Sequence, residues 1–303
     1  MIDTFDIPQI PPHATYTLIT DGWSDDLKYR VDTPEGRFLL RISDIALMEQ
    51  KRNEYDMLQQ IDSTGFVMAQ SLAIGTCAQG VYLLLTWVEG EMLEPVLPKL
   101  SYDAQYQLGI RSGQALQTIH RIPAPASQSD WETRFNAKLD RKIAQYRDCP
   151  IQFEGAEAMI AYINAHRHLL AHRPQTLQHG DYHVGNMLYT PEGDVGIIDF
   201  NRMDCADPWE EFNRIVWSAT VSPLFATGQL HGYFNGTPPD AFFQLLAIYI
   251  AGNSLSSLPW AIPFGQPEVD TMLTQMQQVM GWYNGFCSYM PTWYKTDLLT
   301  TGF

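Results

Sequence analysis

The sequence predicts an α+β protein of two lobes, a small β-rich lobe over residues 1–89 and a larger, mainly helical lobe over residues 90–303. Two observations predict this class. Short stretches of alternating apolar and polar residues, separated by Pro and Gly turns, occupy most of the first lobe and are typical of antiparallel strands. Beyond Gly90, apolar residues recur at helical spacing, and prolines separate the segments. The boundary is therefore expected near residues 87–90.

The small lobe is predicted to be a sheet with one helix, in the order β-β-β-α-β-β. The predicted strands are 16–19, 27–31, 38–42, 66–75 and 81–88. Ser43 or Asp44 can cap a helix that runs to Ile61, because their side chains accept hydrogen bonds from its first N–H groups. Glu54 lies, with Lys51, on the mostly apolar face of this helix. Such a position is reasonable for Glu54 if a buried cation pairs with it.

The large lobe is predicted to consist of helices with two short strands between them. The helices are 102–120, 131–146, 154–170, 208–220, 240–249 and 268–289, and the strands are 187–189 and 195–198. The uninterrupted apolar runs are much shorter than the ~18 residues that a membrane span needs, so no transmembrane helix is expected.

Composition excludes several classes of function. The chain has 19 Lys and Arg against 34 Asp and Glu, a formal charge of −15, so nucleic acids and anionic membrane surfaces are unexpected partners. The acidic N-terminus does not resemble a signal peptide. The four cysteines form no Cys-x-x-Cys pair, and free thiols in the reducing cytoplasm are expected.

The segment with the clearest chemistry is 179–186, which reads HGDYHVGN and is followed by Asp199 in the run IIDF. Phosphoryl transfer gives a reason for each residue type. An aspartate in the catalytic loop, here Asp181, orients the attacking hydroxyl and accepts its proton. An asparagine five residues later, Asn186, and the aspartate of the next hairpin can hold magnesium, which prefers hard oxygen ligands.

On these residues the sequence resembles the aminoglycoside phosphotransferase and choline kinase superfamily, small-molecule kinases distantly related in fold to protein kinases. The resemblance implies a bilobal protein-kinase-like fold, ATP or GTP as phosphoryl donor and Mg²⁺ as cofactor. It makes Asp181 the catalytic aspartate and makes Asn186 and Asp199 the magnesium ligands. The family's Asp-Pro segment matches Asp207-Pro208. There Asp207 is expected to cap the next helix and to support the catalytic loop.

The small lobe supplies a second match. In such kinases a basic residue of the third strand contacts the phosphates and pairs with a glutamate of the neighbouring helix. Arg41 and Glu54 occupy these places. Arginine replaces the lysine of better-known members, and it binds phosphate oxygens in a different, bidentate geometry. Lys28, on the preceding strand, is the alternative if Arg41 points outward.

Further nucleotide contacts are expected from two loops. Residues 20–26 lie where the family's phosphate-covering loop would be, and Gly22 and Ser24 are its candidate nucleotide contacts. Asp25 and Asp26 in the same loop are interpreted as a solvated turn, directed away from phosphate. The backbone of Trp87 and Val88, at the predicted hinge, can contact the base.

Two other functions remain open from the sequence. His179, Asp181 and His183 could form the metal site of a hydrolase, since alternate residues of an extended loop point the same way. That reading leaves the Arg41–Glu54 match unexplained; with a kinase site, His183 is expected to be an exposed loop residue and His179 a hydrogen-bonded structural one. A nucleotide-binding module without catalysis is the third hypothesis, which the intact Asp181 disfavours.

The acceptor is expected to be a small molecule that offers a hydroxyl and binds in the large lobe. The excess of acids after Asp199 and the aromatic residues of the C-terminal third suggest a cationic or sugar-like molecule, such as an aminoglycoside or amino sugar. Asp204 and Glu210 are the candidate acceptor ligands.

Overall fold

The computed structural model of the chain describes residues 5–20, 25–296 and 298. In that part of the chain the strands are β1 (Thr15–Ile19), β2 (Leu27–Thr33), β3 (Gly36–Ser43), β4 (Val67–Met68), β5 (Ser71–Cys77), β6 (Gly80–Thr86), β7 (Glu91–Met92), β8 (Thr176–Gln178), β9 (Met187–Tyr189), β10 (Val195–Ile197) and β11 (Asp204–Ala206). The α-helices are α1 (Met48–Gln60), α2 (Leu93–Val96), α3 (Tyr102–Ile119), α4 (Trp131–Arg147), α5 (Ala156–His166), α6 (Ile215–Val221), α7 (Pro223–Phe234), α8 (Asp240–Ala261) and α9 (Gln266–Trp282). The predicted α+β class with two lobes is confirmed.

The small lobe is a five-stranded antiparallel sheet in the order β1-β2-β3-β6-β5, with α1 packed against β5 and β6. Leu40 and Ile42 of β3 belong to an apolar cluster, whereas Arg41 between them faces the opposite side, as the twofold repeat of a strand requires. Asp44 caps the short 3₁₀ turn before α1, accepting a hydrogen bond from the Ala46 N–H at 2.8 Å. The sheet thus directs Arg41 toward α1.

A second sheet joins the two lobes. Its order is β4-β10-β9-β7, and β4 of the small lobe pairs in parallel with β10 of the large lobe. Beneath it, one apolar cluster contains both small-lobe residues such as Leu83 and large-lobe residues such as Leu116. The lobes therefore share a core.

The helices of the large lobe depart from the sequence expectation in several places. Helix α5 ends at His166 and α9 at Trp282, before the expected residues 170 and 289, and α6 begins at Ile215 after a 3₁₀ turn instead of at residue 208. Helix α7 was not expected, because two glycines of low helix propensity interrupt its pattern. Helix α8 extends to Ala261, well beyond the expected end at residue 249. In the described chain, the stretch Asp240–Phe264 alone is long and apolar enough to cross a membrane, but 72% of its most apolar window is buried inside the protein, as in a core helix.

Helices α3 and α7 pack backbone against backbone through glycines. Gly109 and Gly113 of α3 lie against carbonyl oxygens of α7, and Gly228 and Gly232 of α7 lie against carbonyl oxygens of α3. An added Cβ at any of the four would collide with the partner helix. This close pair supports the segment 179–186, because Tyr182 donates a hydrogen bond to the Ser112 carbonyl of α3 at 2.7 Å.

Candidate active site

The catalytic loop between β8 and β9 is held from below by a buried carboxylate. Both oxygens of Glu211 accept the Gly180 N–H at 3.1 Å, and Oε1 also accepts the Tyr182 N–H at 3.3 Å. Burial would raise the pKa of Glu211, but the nearby imidazoles of His120, 3.8 Å away, and His179, with the hydrogen bond from Gly180, outweigh burial and lower that pKa. Glu211 therefore fixes the backbone on either side of Asp181.

His179 is a structural residue, as expected. Its side chain is fully buried, its Nε2 lies 2.9 Å from the Ile198 carbonyl oxygen, and its Nδ1 accepts the Asp181 N–H at 3.2 Å. Both ring nitrogens are thus engaged with the backbone and are unavailable to a metal. Throughout the described residues no group of three or more His, Cys, Asp or Glu side chains could hold a metal ion, which argues against the hydrolase site.

Asp181 is surrounded by cationic side chains. Arg214 Nε lies 3.2 Å from Oδ1, and Arg202 Nη1 lies 3.6 Å from Oδ2. Burial would raise the pKa of Asp181, but Arg214, with the smaller influences of His183 and Arg202, lowers it below the ordinary value. The carboxylate is therefore ionised at neutral pH. The sequence reasoning missed both arginines, which are 21 and 33 residues away from Asp181 along the chain.

His183 is not the exposed loop residue that was expected. Its side chain is only 21% exposed, and its Nε2 lies 3.6 Å from Asp181 Oδ1. Burial lowers the pKa of His183 to about 4, against the opposing influence of Asp181. Its Nδ1 accepts the Gly185 N–H at 3.1 Å, which caps the 3₁₀ turn that ends at Asn186. The turn thus orients both His183 and the asparagine that follows.

Asn186 and Asp199 lie on the same loop and hairpin as Asp181. Asn186 donates from Nδ2 to the Asp181 carbonyl at 2.9 Å, and its own carbonyl accepts the Ile198 N–H at 3.1 Å. Asp199 lies two residues after the end of β10 and has a left-handed backbone with φ of 66°. A non-glycine residue in this region is uncommon and is found preferentially at functional sites.

The small lobe contributes a buried cluster of four charges. Arg41 donates from Nη1 to Glu54 at 3.0 Å and from Nη2 to Asp26 at 2.5 Å. Lys51 Nζ donates to the same two carboxylates, at 2.9 Å to Asp26 and 3.1 Å to Glu54. All four side chains are less than 9% exposed. The expected Arg41–Glu54 pair is therefore present, and Lys51 is an additional member.

The side chain of Asp26 is buried, so the expectation of a solvated turn is wrong at this residue. Its Oδ1 also accepts a hydrogen bond from Ser43 at 2.6 Å. Burial would raise the pKa of Asp26, but Arg41, Ser43 and Lys51 together lower it to about 2. For Arg41, burial works against the charged form, while Glu54, Asp26 and the more distant Asp199 raise its pKa. Asp26 turns inward because two buried cations need two carboxylates.

The other predicted nucleotide contacts have mixed outcomes. Arg41 points inward, so the condition for replacing it by Lys28, its cross-strand neighbour, is not met. Gly22 and Ser24 lie outside the described residues. The backbone N–H of Trp87 donates to the Arg37 carbonyl at 3.4 Å. The Val88 side chain is buried at the junction of the lobes.

The candidate acceptor ligands are each paired with a cation. Glu210 is buried and lies 3.2 Å from Lys138, and the exposed Asp204 lies 3.6 Å from Arg134. Lys142 lies in the same region: burial, with the neighbouring charge of Lys138, lowers its pKa to about 7.

Asp207 does not cap the next helix, which begins at Glu210 after Trp209. Its fully buried carboxylate accepts the backbone N–H of Trp209 at 3.0 Å, two hydrogen bonds from Arg173 at 2.7 and 2.9 Å, and one from Tyr249 at 2.5 Å. A buried carboxylate needs such partners, and this requirement fixes the segment that carries Glu211.

Comparison with known proteins gives one family. The model of the phosphotransferase enzyme family matches residues 15–243. A search of curated protein sequences finds no match.

Several solved structures have a similar fold. A thermostable mutant of aminoglycoside phosphotransferase APH(4)-Ia, in a ternary complex with AMP-PNP and hygromycin B, aligns with a TM-score of 0.66 at 14% identity, over 91% of this chain and 96% of that one. The ADP-bound aminoglycoside phosphotransferase APH(2'')-Ib aligns with a TM-score of 0.60 at 14% identity, over 90% and 95%. The gentamicin complex of APH(2")-IIa aligns with a TM-score of 0.59 at 14% identity, over 86% and 91%.

Proposed function

This chain belongs to the phosphotransferase enzyme family and is a small-molecule kinase, and from this we propose that it transfers the γ-phosphoryl group of ATP or GTP to a hydroxyl of its acceptor, with Asp181 as the catalytic base. One observation carries the proposal. Asp181, Asn186 and the residue before Asp199 are linked by hydrogen bonds into one loop and hairpin, which is the constellation that phosphoryl transfer requires.

Asp181 suits the part of the base. Its lowered pKa keeps it ionised, so it can accept a hydrogen bond from the acceptor hydroxyl and fix the direction of attack. Glu211 and His179 hold the peptide groups on both sides of it, which limits the positions that the carboxylate can take. Positioning of this kind is the larger part of catalysis in phosphoryl transfer.

The donor chemistry of the hairpin fits magnesium. Asn186 uses its amide N–H₂ on the Asp181 carbonyl, which leaves its amide oxygen for an ion, and Asp199 is an exposed carboxylate on a left-handed backbone. A hard cation with few protein ligands and several phosphate or water ligands matches this set. Asn186 and Asp199 would hold Mg²⁺, whose positive charge would offset the negative charge that develops on the phosphates.

The nucleotide is proposed to lie between the lobes, with Arg41 toward its phosphates and Glu54 holding Arg41 in place. The backbone of Trp87 and Val88 is proposed to contact the base. Complexes of two structures with this fold contain AMP-PNP or ADP, which supports a nucleotide donor. The same fold binds hygromycin B or gentamicin in two cases, which supports a small-molecule acceptor. The aminoglycoside or amino sugar expected from the sequence is one class of acceptor to be tested against others. We propose that the activity is cytoplasmic, in keeping with four free cysteines.

The experiment is to incubate the purified protein with ATP or GTP, Mg²⁺ and a panel of hydroxyl acceptors, and to measure ADP or GDP formation and the phosphorylated product. Loss of turnover on removal of Mg²⁺, and not on chelation of zinc, is expected. Turnover that depends on zinc would support the hydrolase. Nucleotide binding without ADP formation, with or without any acceptor, would support the binding module.

A further inference from the structure

Two arginines flank the side chain of Asp181. The guanidinium groups of Arg214 and Arg202 lie 3.2 and 3.6 Å from its two carboxylate oxygens. The carboxylate of Glu211 lies on the other side of the loop, where it accepts the Gly180 and Tyr182 N–H groups. The side chain of Asp181 therefore has two cationic neighbours for its single negative charge.

The arginines are separate from the cations of the small lobe. Arg41 and Lys51 each donate hydrogen bonds to Asp26 and Glu54. Arg41 also has an electrostatic interaction with Asp199 on the hairpin. Arg214 lies at the end of the 3₁₀ turn Glu210–Arg214 in the large lobe and acts on Asp181. In the proposed complex, Arg41 of the small lobe thus faces the donor phosphates. Arg214 and Arg202 of the large lobe flank Asp181, which faces the acceptor hydroxyl.

We infer that the acceptor carries an anionic group, a carboxylate or a phosphate, close to the hydroxyl that is phosphorylated, and that Arg214 with Arg202 binds this group. The inference rests on the proposed function. A guanidinium binds either anion through paired hydrogen bonds, and the distance from Asp181 to the two arginines fits a hydroxyl a few bonds away from the anion. A polycationic aminoglycoside would bring its ammonium groups against the same two guanidiniums, which lowers affinity.

The transfer step is the same for either anion. The acceptor oxygen forms a bond to the γ-phosphorus, and the bond from that phosphorus to the β–γ bridging oxygen breaks. The nucleoside diphosphate leaves with the bonding electrons, and the hydroxyl proton passes to Asp181. The anionic group of the acceptor stays on Arg214 and is unchanged.

The first test compares acceptors by charge at a fixed concentration of Mg²⁺ and ATP. The panel contains hydroxy carboxylates (glycerate, gluconate), sugar phosphates (ribose 5-phosphate), neutral polyols (glycerol, ribose) and cationic compounds (glucosamine, kanamycin, hygromycin B). Carboxylates or phosphates are expected to stimulate ADP formation at least about tenfold over the acceptor-free rate, and the two arms show which anion is used. Stimulation by cationic or neutral acceptors alone would overturn the inference and leave the kinase assignment intact.

The second test uses Arg214→Gln. Its KM for an anionic acceptor is expected to rise about 10- to 100-fold, as for loss of a charge-assisted hydrogen bond, with a smaller change in kcat. Arg30→Gln, which removes a half-exposed arginine paired with Asp32 in β2, is the matched control and should leave both constants unchanged. A fall in kcat with every acceptor, at constant KM, would place Arg214 on the transferred phosphoryl group and would overturn the inference.

A binding measurement covers the case in which no acceptor in the panel is turned over. Anions of the panel are titrated into the protein with Mg²⁺ and ADP, and the thermal midpoint is followed. A rise in wild type that is absent in Arg214→Gln is expected, and no rise with any anion overturns the inference. Binding of ATP that depends on Mg²⁺ is measured in parallel, because its absence would instead count against the proposed function.

Discussion

The carboxylate of Asp181 combines a low pKa with the proposed role of catalytic base, and the loose transition state of phosphoryl transfer explains how the two are compatible. A carboxylate whose pKa is lowered by Arg214 is a weak base. In such a transition state the proton leaves the nucleophile late, so orientation of the hydroxyl matters more than basicity. The backbone hydrogen bonds around Asp181 supply that orientation.

The sharpest single-residue test is Asp181→Asn, which keeps the shape and removes the charge. We expect the transfer rate to fall about 10²- to 10⁴-fold, the range of general base catalysis, while affinity for ATP stays within about threefold of wild type. A coupled assay of ADP formation and calorimetric titration of ATP measure the two quantities. A variant that keeps substantial turnover would remove Asp181 from the role of base.

The pH profile tests the same site without a mutation. The base must be ionised, and the lowered pKa of Asp181 keeps it ionised from neutral pH down to at least about pH 5. His183, with a pKa of about 4, stays neutral over the same interval. Transfer measured between pH 5 and 8 is therefore expected to show no inflection from either group. An inflection near pH 6.5 that disappears in His183→Gln would contradict this.

At the scale of elements, β2, β3 and α1 meet at the four-charge cluster. In the proposed complex, the nucleotide phosphates compete with the carboxylate of Asp26 for Arg41. Asp26→Asn is therefore expected to tighten ATP binding and to destabilise the free protein by on the order of 2–4 kcal/mol, because a buried pair is broken. Titration calorimetry and urea unfolding measure these effects.

The stability effect of Asp26→Asn should depend on pH. The pKa of Asp26 falls to about 2 on folding, so its contribution is present above its unfolded pKa near 4 and is lost as the pH falls toward 2. The difference between wild type and variant should shrink over that interval. Asp32→Asn, in the more exposed pairs with Arg30 and Arg37, is the control and should cost about 0–1 kcal/mol. Equal losses at the two positions would refute the buried cluster.

The contact of α3 with α7 gives a second test of an element. Gly109→Ala places a methyl group against the Phe225 carbonyl oxygen, which forces two helices apart. Overpacking of this kind costs about 1–3 kcal/mol, and urea unfolding should show it. Gly281→Ala in α9, where an added Cβ meets nothing, is the control and should be neutral or stabilising by up to about 1 kcal/mol. Equal stability of the two variants would contradict the close packing.

At the scale of the whole molecule, the two lobes share one large apolar cluster, while the small lobe also has a cluster of its own that contains Leu40 and Ile42. Leu58, Leu83 and Leu85 of the small lobe belong to the same apolar cluster as the helices of the large lobe. We expect a single thermal transition whose calorimetric and van't Hoff enthalpies agree. Two resolved transitions, one assigned to each lobe, would show that the shared core and the β4–β10 pairing contribute less than their burial implies.

The sequence predicted most of what depends on local pattern. The strands around Arg41, the long helices and the spacing from Asp181 to Asp199 all follow from periodicity or motif. It did not predict contacts between distant side chains, such as Asp26 with Lys51 or Asp181 with Arg214, because no periodic signal links them. Helix α7 was not predicted, because its two glycines have a low helix propensity. The Gly-x-x-x-Gly spacing that begins at Gly109 and again at Gly228 nevertheless indicates close packing of two helices.

The pairing of β4 with β10 has a consequence for synthesis on the ribosome. Strand β10 is the partner of β4. Its residue Gly196 is synthesised about 130 residues after Val67, with which it pairs. At about 5–20 residues per second, translation leaves β4 without its partner for on the order of ten seconds. During that interval the nascent small lobe has an unpaired strand beside an incomplete apolar core, and we expect it to need protection by holding chaperones.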